Sequence, residues 1–309
     1  MRETWRDKNY HSLNYFLREK FGQKVFKISL DAGFSCPNRD GTISYGGCIF
    51  CSERGSGDFA GNRCLSISKQ FENIKKIMEK KWKSGSYIAY FQAYTNTYES
   101  VNILRAKYKE ALEQEGVVAI AIATRPDCLE EDVLDLLAEL SKKVYLWVEL
   151  GLQTVNDETA KIINRGYNLK IFEKGLFKLR SRGIDVVVHI IFGLPGETKT
   201  DMVNTIKYIA ENDINGVKFH LLHLIIGTPL EKLYICGKLD FLEKKEYVDL
   251  VCEAITLLPQ NMVIHRLTGD APRELLIGPL WSLKKWEILN SIDKTLKEKN
   301  FYQGLNFSK

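Results

Sequence analysis

The chain has 309 residues, of which 45% are hydrophobic and 27% charged, with a formal net charge of +5. That balance describes a folded globular protein and excludes whole-chain disorder. Seven cysteines are too sparse, and the number is odd, so a disulfide scaffold is excluded as well.

Residues 1–24 carry charges throughout and lack an apolar h-region, so they read as a helical segment and not as a secretory signal. The most apolar later stretch, Val217 to Ile226, is broken by Lys218, His220 and His223, and a membrane span needs about 20 apolar residues. No membrane partner is expected, and the expected compartment is the reducing cytoplasm, where cysteines serve as thiols, ligands or catalysts.

From residue 25 onward, short apolar runs alternate with helical patterns. Strands are expected over 25–30, 86–94, 117–123, 144–150, 185–193 and 216–224. Helices are expected over 66–83, 100–114, 129–141, 156–164, 169–182 and 200–211. In the helix over 66–83, Phe71, Ile74, Ile77, Met78 and Trp82 share one face. Asp127 and Glu130 have the spacing of a capping box, and Gly116 and Gly183 stand where a C′ glycine belongs. The strands are nearly continuous hydrophobic runs, as expected where both faces are buried.

Six such units imply a parallel α/β sheet: a partial (βα)6 TIM-like barrel over 25–240 first, an open doubly wound sheet second. Residues 241–309 change character, with a helix over 243–258, a strand over 262–267, a Gly/Pro-rich turn and a basic helix from Ser282. They read as a short C-terminal extension packed on the barrel.

The excess positive charge gathers in three places. Residues 1–24 hold six Lys/Arg against three acids, residues 282–309 six Lys against three acids, and Lys75 to Lys83 five Lys against one Glu. Solvated helix faces and an RNA-binding role both account for it.

The loop after the first strand carries Cys36, Cys48 and Cys51 in the spacing C-x11-C-x2-C. Three thiolates suit a 4Fe–4S cluster with one open iron. With Cys64 the spacing C-x11-C-x2-C-x12-C also suits a four-ligand structural zinc. Three unligated thiols are the third reading. Cys128, Cys236 and Cys252 read as buried small hydrophobes. No second Cys-x2-Cys pair occurs, so no second cluster is expected.

Polar groups gather at strand ends: Gln92, Tyr94 and Asn96 at the close of the second, Thr124 and Arg125 at the close of the third, Glu149 at the close of the fourth with Gln153 beyond it, and Arg165 at the end of the next helix. Charge at the end of a buried strand is costly unless paired or facing a site, so either a structural ion network or a ligand site fits. His220 and Lys218 share a strand face and His223 has the opposite parity, so one of these histidines is expected to point away from the interior.

Several segments in order, FSCPNRDGTISYGGCIFC, YFQAYTNTY, ATRPDCL, WVELGLQTVNDETAKIINRGY, HIIFGLPGET and RLTGDAPRELLIGPLW, together resemble the radical S-adenosylmethionine (SAM) superfamily. Within it they resemble the YhcC/YtqA type of the Elongator-catalytic-subunit-like branch. The resemblance implies a partial barrel with its site at the C-terminal strand ends. Cys36, Cys48 and Cys51 would hold a 4Fe–4S cluster whose open iron binds SAM, and one electron would cleave SAM to a 5′-deoxyadenosyl radical. Gln92, Tyr94, Arg125, Glu149, Gln153 and Arg165 would contact SAM, Gly193 would lie near its adenine, and His220 is the expected catalytic, substrate-side group.

Some relatives of this type are expected to modify C5 of tRNA wobble uridine, converting carboxymethylaminomethyl toward aminomethyl. Tyr94, Tyr98 and Trp281 could stack on a base. Implied partners are tRNA, a reductant such as flavodoxin or ferredoxin, and a downstream tRNA methyltransferase. No acetyltransferase domain is expected. A radical enzyme acting on a small metabolite, a zinc-stapled nucleic-acid-binding protein and an ordinary barrel hydrolase or isomerase remain as alternatives.

Overall fold

The computed structural model describes residues 5–82 and 85–308. Residues 1–4 of the expected N-terminal segment, Lys83 at the end of the expected helix over 66–83, and Lys309 lie outside the described residues.

The strands β1 (Val25–Leu30), β2 (Ser86–Phe91), β3 (Val117–Thr124), β4 (Tyr145–Gln153), β5 (Asp185–Phe192) and β6 (Gly216–Leu221) follow one another in the expected order. Between them run α2 (Ile67–Glu79), α3 (Val101–Leu112), α4 (Glu131–Ser141), α5 (Asp157–Ile162) with α6 (Leu169–Arg180), and α7 (Lys199–Glu211), while α1 (Leu13–Phe21) precedes them all. Beyond β6 come β7 (Leu224–Ile225), α8 (Leu230–Ile235), α9 (Lys244–Leu257), β8 (Val263–Arg266), β9 (Leu276–Gly278) and α10 (Lys285–Glu298).

The main sheet is parallel, in the order β1-β2-β3-β4-β5-β6-β8, and β7 and β9 form a small antiparallel ribbon. This is the expected α/β partial barrel with one strand more. The strand expected within the C-terminal extension joins the sheet beside β6. Among the described residues no helix is long and apolar enough to cross a membrane.

Strand alternation divides the side chains between two layers. Ile120 and Ile122 of β3 join the large outer core against the helices. Ala119, Ala121 and Ala123 of the same strand face inward with Ile88, Trp147 and Val187. Alanines on the inner face leave room inside the curl. The N-terminal helix closes its lower end: Leu17 packs in the inner cluster beside Val25 of β1, and Ser12 bridges Ile264 of β8. α1 therefore stands between the two edge strands of the sheet, β1 and β8.

Several expectations need correction. α4 has no side-chain cap, because Asp127 is taken by Arg125 instead of capping the helix. α2 stops at Glu79, so the turn carries Trp82 off the apolar face to meet Phe26, and Ile77 is exposed. Gly116 and Gly183 do take left-handed φ, at 80° and 70°, but in turns a little beyond the helix ends. Cys236 is exposed at the end of the short α8, whereas Cys128 and Cys252 are buried as expected.

Candidate active site

One cavity of about 770 Å³ opens at the C-terminal ends of the strands. Its wall includes Cys36, Cys48 and Cys51 at one side and Tyr90, Glu149, His189 and Lys218 deep inside the curl.

The cysteine loop is held by side chains that donate to its carbonyls. Arg39 donates to Glu53, Cys51 and Ser52 at 3.1, 3.2 and 2.7 Å. Gln92 Nε2 donates to the Ser56 carbonyl at 2.8 Å, and the Tyr94 hydroxyl donates to that of Glu53. A Cβ on Gly55 would stand 2.5 Å from the Tyr94 ring, so only glycine lets the loop lie on that ring. Asn38, fully buried, donates to Asn164 O at 2.6 Å and to Cys48 Sγ at 3.7 Å, and its Oδ1 has no partner.

A hydrogen bond from Cys48 draws Cys51 below the ordinary thiol range, and the Arg39 guanidinium adds to this against burial. The same bond, then burial, pushes Cys48 up. A shared proton and a nearby guanidinium favour thiolate, the form that binds metal.

Among the described residues, no three or more His, Cys, Asp or Glu converge to hold a single metal ion. Cysteines on a cubane cluster bind separate irons and need not converge on one point. Cys64 is exposed and off the cavity wall, so the four-ligand zinc arrangement is not assembled. The three cavity thiols, one already biased toward thiolate, fit a cluster ligated by three cysteines.

Arg125 forms a bidentate pair with Asp127 at 2.9 and 2.7 Å and donates to Arg165 O at 2.9 Å. Gln153 ends β4 with φ 61° and accepts from Tyr167 at 3.3 Å. Both line the cavity, as do Gln92, Tyr94, Glu149 and His220. Arg165 does not. It is fully buried and donates to the carbonyls of Leu152, Thr154 and Tyr167. Gly193 is also off the wall, where a Cβ would meet Leu242 at 3.4 Å. Of the three candidate stacking aromatics only Tyr94 lines the cavity; Tyr98 bonds Thr42, and Trp281 donates to Leu242 O.

Glu149 does not close its strand. β4 continues to Gln153, so Glu149 lies deep in the barrel, 1% exposed. It accepts from Trp147 at 3.0 Å and from Lys218, and it pairs with His189 at 2.8 Å. Burial would push its carboxyl up, but Lys218, His189 and Lys27 outweigh this and hold it well below the ordinary range. Lys218, 2% exposed, also donates to the Tyr90 hydroxyl at 3.0 Å.

Burial lowers His189 to about 4 and pushes His220 well below its ordinary value. Their rings stand 5.0 Å apart. His223 lines the cavity too, contrary to the parity argument, because β6 ends at Leu221 and its alternation stops there.

Asn38, Tyr167 and Arg266 line or brace this site without having been singled out. A lysine inside the apolar run of β6 was a usable signal for the floor, since a buried charge calls for a partner. Tyr167, 4.7 Å from both the Arg125 and the Arg165 guanidinium, had none.

The family model described as the Radical SAM superfamily matches residues 36–209, and that of the Radical_SAM C-terminal domain matches residues 214–298. The protein YtqA of Bacillus subtilis is 55% identical over 98% of this chain and 94% of its own length. Protein YhcC of Escherichia coli is 38% identical, over 91% and 90%. A tRNA uridine(34) acetyltransferase of Methanocaldococcus infernus is 24% identical over 66% of this chain, which spans 38% of that protein. The solved structure of Elp3 from that archaeon covers 90% of this chain and 64% of its own, with a TM-score of 0.67 at 17% identity, a likeness of fold.

Proposed function

The chain belongs to the radical SAM superfamily, and from that premise we propose that it modifies the C5 side chain of tRNA wobble uridine, taking carboxymethylaminomethyl toward aminomethyl. The family makes it a radical SAM enzyme that uses a 4Fe–4S cluster and SAM. The observation that carries the reading is that one cavity of about 770 Å³ is lined both by the three thiols and by the charged groups of the barrel floor, room for SAM and a group extended from a larger molecule. The relative named as a tRNA uridine(34) acetyltransferase supports the choice of RNA.

When bound, the cluster and SAM supply one-electron cleavage of the sulfonium and abstraction of a hydrogen atom. In this reading Cys36, Cys48 and Cys51 hold the cluster, and Gln92, Tyr94, Arg125 and Gln153 face SAM. Arg165 acts as a positioning residue, since its donors hold the backbone that carries Gln153. Gly193 acts through the turn after β5. Glu149 faces the substrate side, and His220 offers a neutral imidazole whose Nε2 has no partner. A flavodoxin- or ferredoxin-like reductant would supply the electron; the hydrogen atom from the carboxymethyl CH2 would leave in 5′-deoxyadenosine, the resulting carbon radical would return one electron to the oxidised cluster to give an imine, water would release the two carbons as glyoxylate, and a tRNA methyltransferase would take the aminomethyl product.

The test incubates the reconstituted protein with SAM, reductant and tRNA bearing carboxymethylaminomethyluridine, followed by nucleoside mass spectrometry. Aminomethyluridine formed together with 5′-deoxyadenosine is the expected result. 5′-Deoxyadenosine with every tRNA nucleoside unchanged would overturn the RNA reading in favour of a small metabolite.

A further inference from the structure

Three adjacent strands place charged or polar side chains side by side on the inner face. His189 of β5 stands in register with Lys218 of β6, which stands in register with Arg266 of β8, and all three line the cavity. Lys27 of β1 joins them: its ammonium lies 5.3 Å from the Tyr90 ring, and that of Lys218 lies 4.4 Å from the same ring. Lys218, His189 and Lys27 thus act on one ionised carboxylate, Glu149, with Arg266 next to Lys218 on the neighbouring strand.

The partners are unevenly shared. Glu149 is committed to Lys218, His189 and Trp147. Arg266 has only a 3.8 Å contact to Asp270. Asp270 is itself held by Lys285 at 2.6 and 2.8 Å. Among the described residues the Arg266 guanidinium makes no hydrogen bond, although its side chain is only 31% exposed. Its fork is solvent-accessible on the cavity wall, and with Asp270 beyond hydrogen-bond distance its donors are free to meet a carboxylate in a bidentate pair. The unpartnered Nε2 of His220 lies at the same end.

We infer that this end of the cavity is an anion subsite in which Arg266, with Lys218 beneath it, takes a carboxylate carried by the substrate and thereby selects the group that enters. The identity of the bearer rests on the proposed function: the carboxymethyl arm on uridine C5 has this chemistry. The subsite lies on β6 and β8, apart from the cysteine loop after β1.

The test uses the anaerobically reconstituted full chain with Arg266→Gln and Arg266→Lys. Steady-state kinetics compare tRNA bearing carboxymethylaminomethyluridine with the methyl ester of the same tRNA. The wild type is expected to prefer the acid. In Arg266→Gln the KM for the acid should rise about 10- to 100-fold and the preference over the ester should vanish, with partial recovery in Arg266→Lys. Unchanged preference in Arg266→Gln, or an effect confined to SAM affinity, would overturn the inference. Saturation-transfer NMR with N-methylglycine and its methyl ester, without RNA, separates the two proposals. If no tRNA is turned over but N-methylglycine binds the wild type and not Arg266→Gln, the subsite stands and the RNA reading falls. Equal signals in the two proteins would sink the subsite.

Discussion

The mouth and the floor of the cavity are built by opposite means. At the mouth, Arg39, Gln92 and Tyr94 give their donors to main-chain carbonyls of the cysteine loop, and behind it Arg165 does the same for the backbone that carries Gln153. The loop is thereby shaped around the three thiols, and those thiols are left for a ligand. On the floor, side chain meets side chain: Lys218 and His189 converge on Glu149 from neighbouring strands. The mouth therefore tolerates little change in its backbone path, while the floor depends on charges that are balanced against one another and can be rebalanced together.

This difference can be broken experimentally, beginning where the effect is largest. Lys218→Met leaves Glu149 buried with its main cation gone, and such a loss costs about 3–5 kcal/mol. Adding Glu149→Gln should recover most of it, because a neutral pair removes the uncompensated charge. Urea unfolding of both variants measures this, and a double variant no more stable than Lys218→Met would show that the floor is not governed by charge balance. Arg165→Met behind the mouth should cost about 2–3 kcal/mol by the same measurement, since buried carbonyls lose their donor. Here no second side-chain substitution restores stability, because the acceptors belong to the backbone.

Acid gives the smallest effect and sharpens the contrast further. Burial lowers His189 and His223 to about 4 each, against about 6.5 in an unfolded chain. The unfolded chain thus binds more protons between those values, so this stability is fully present above about pH 6.5 and is lost as pH falls toward 4. Between pH 6.5 and 5.5 the loss should be about 1 kcal/mol per histidine, read from urea midpoints at the two values. His223→Asn should flatten its share; an unchanged slope in that variant would remove His223 from the account.

The mouth was far more legible in the sequence than the floor, for physical reasons. Cys36, Cys48 and Cys51 lie in one loop, so their spacing alone announces ligand chemistry. The strands were legible because both of their faces are buried, and the apolar runs mark them. Glu149 was misplaced because the apolar run stops near it, yet β4 goes on through Gly151 and Gln153 by pairing with β5. Asp127 has capping-box spacing, but a guanidinium two residues away competes for it more strongly than an N-terminal amide. Arg266 meets Lys218 only through the register of β8 on β6, and register across distant segments is not written in local pattern. His223 shows the same limit, since alternation holds only as far as the strand does.

The most direct test of the central claim, that three thiols of one loop turn this cavity into a radical SAM site, is 5′-deoxyadenosine formation after anaerobic reconstitution with iron and sulfide, in the presence of SAM and a reductant. The account predicts product from the wild type and from Cys64→Ala, and none from Cys36→Ala, Cys48→Ala or Cys51→Ala. SAM cleavage that persists without those three thiols, or a wild type that binds one zinc through Cys64 and never cleaves SAM, would contradict it.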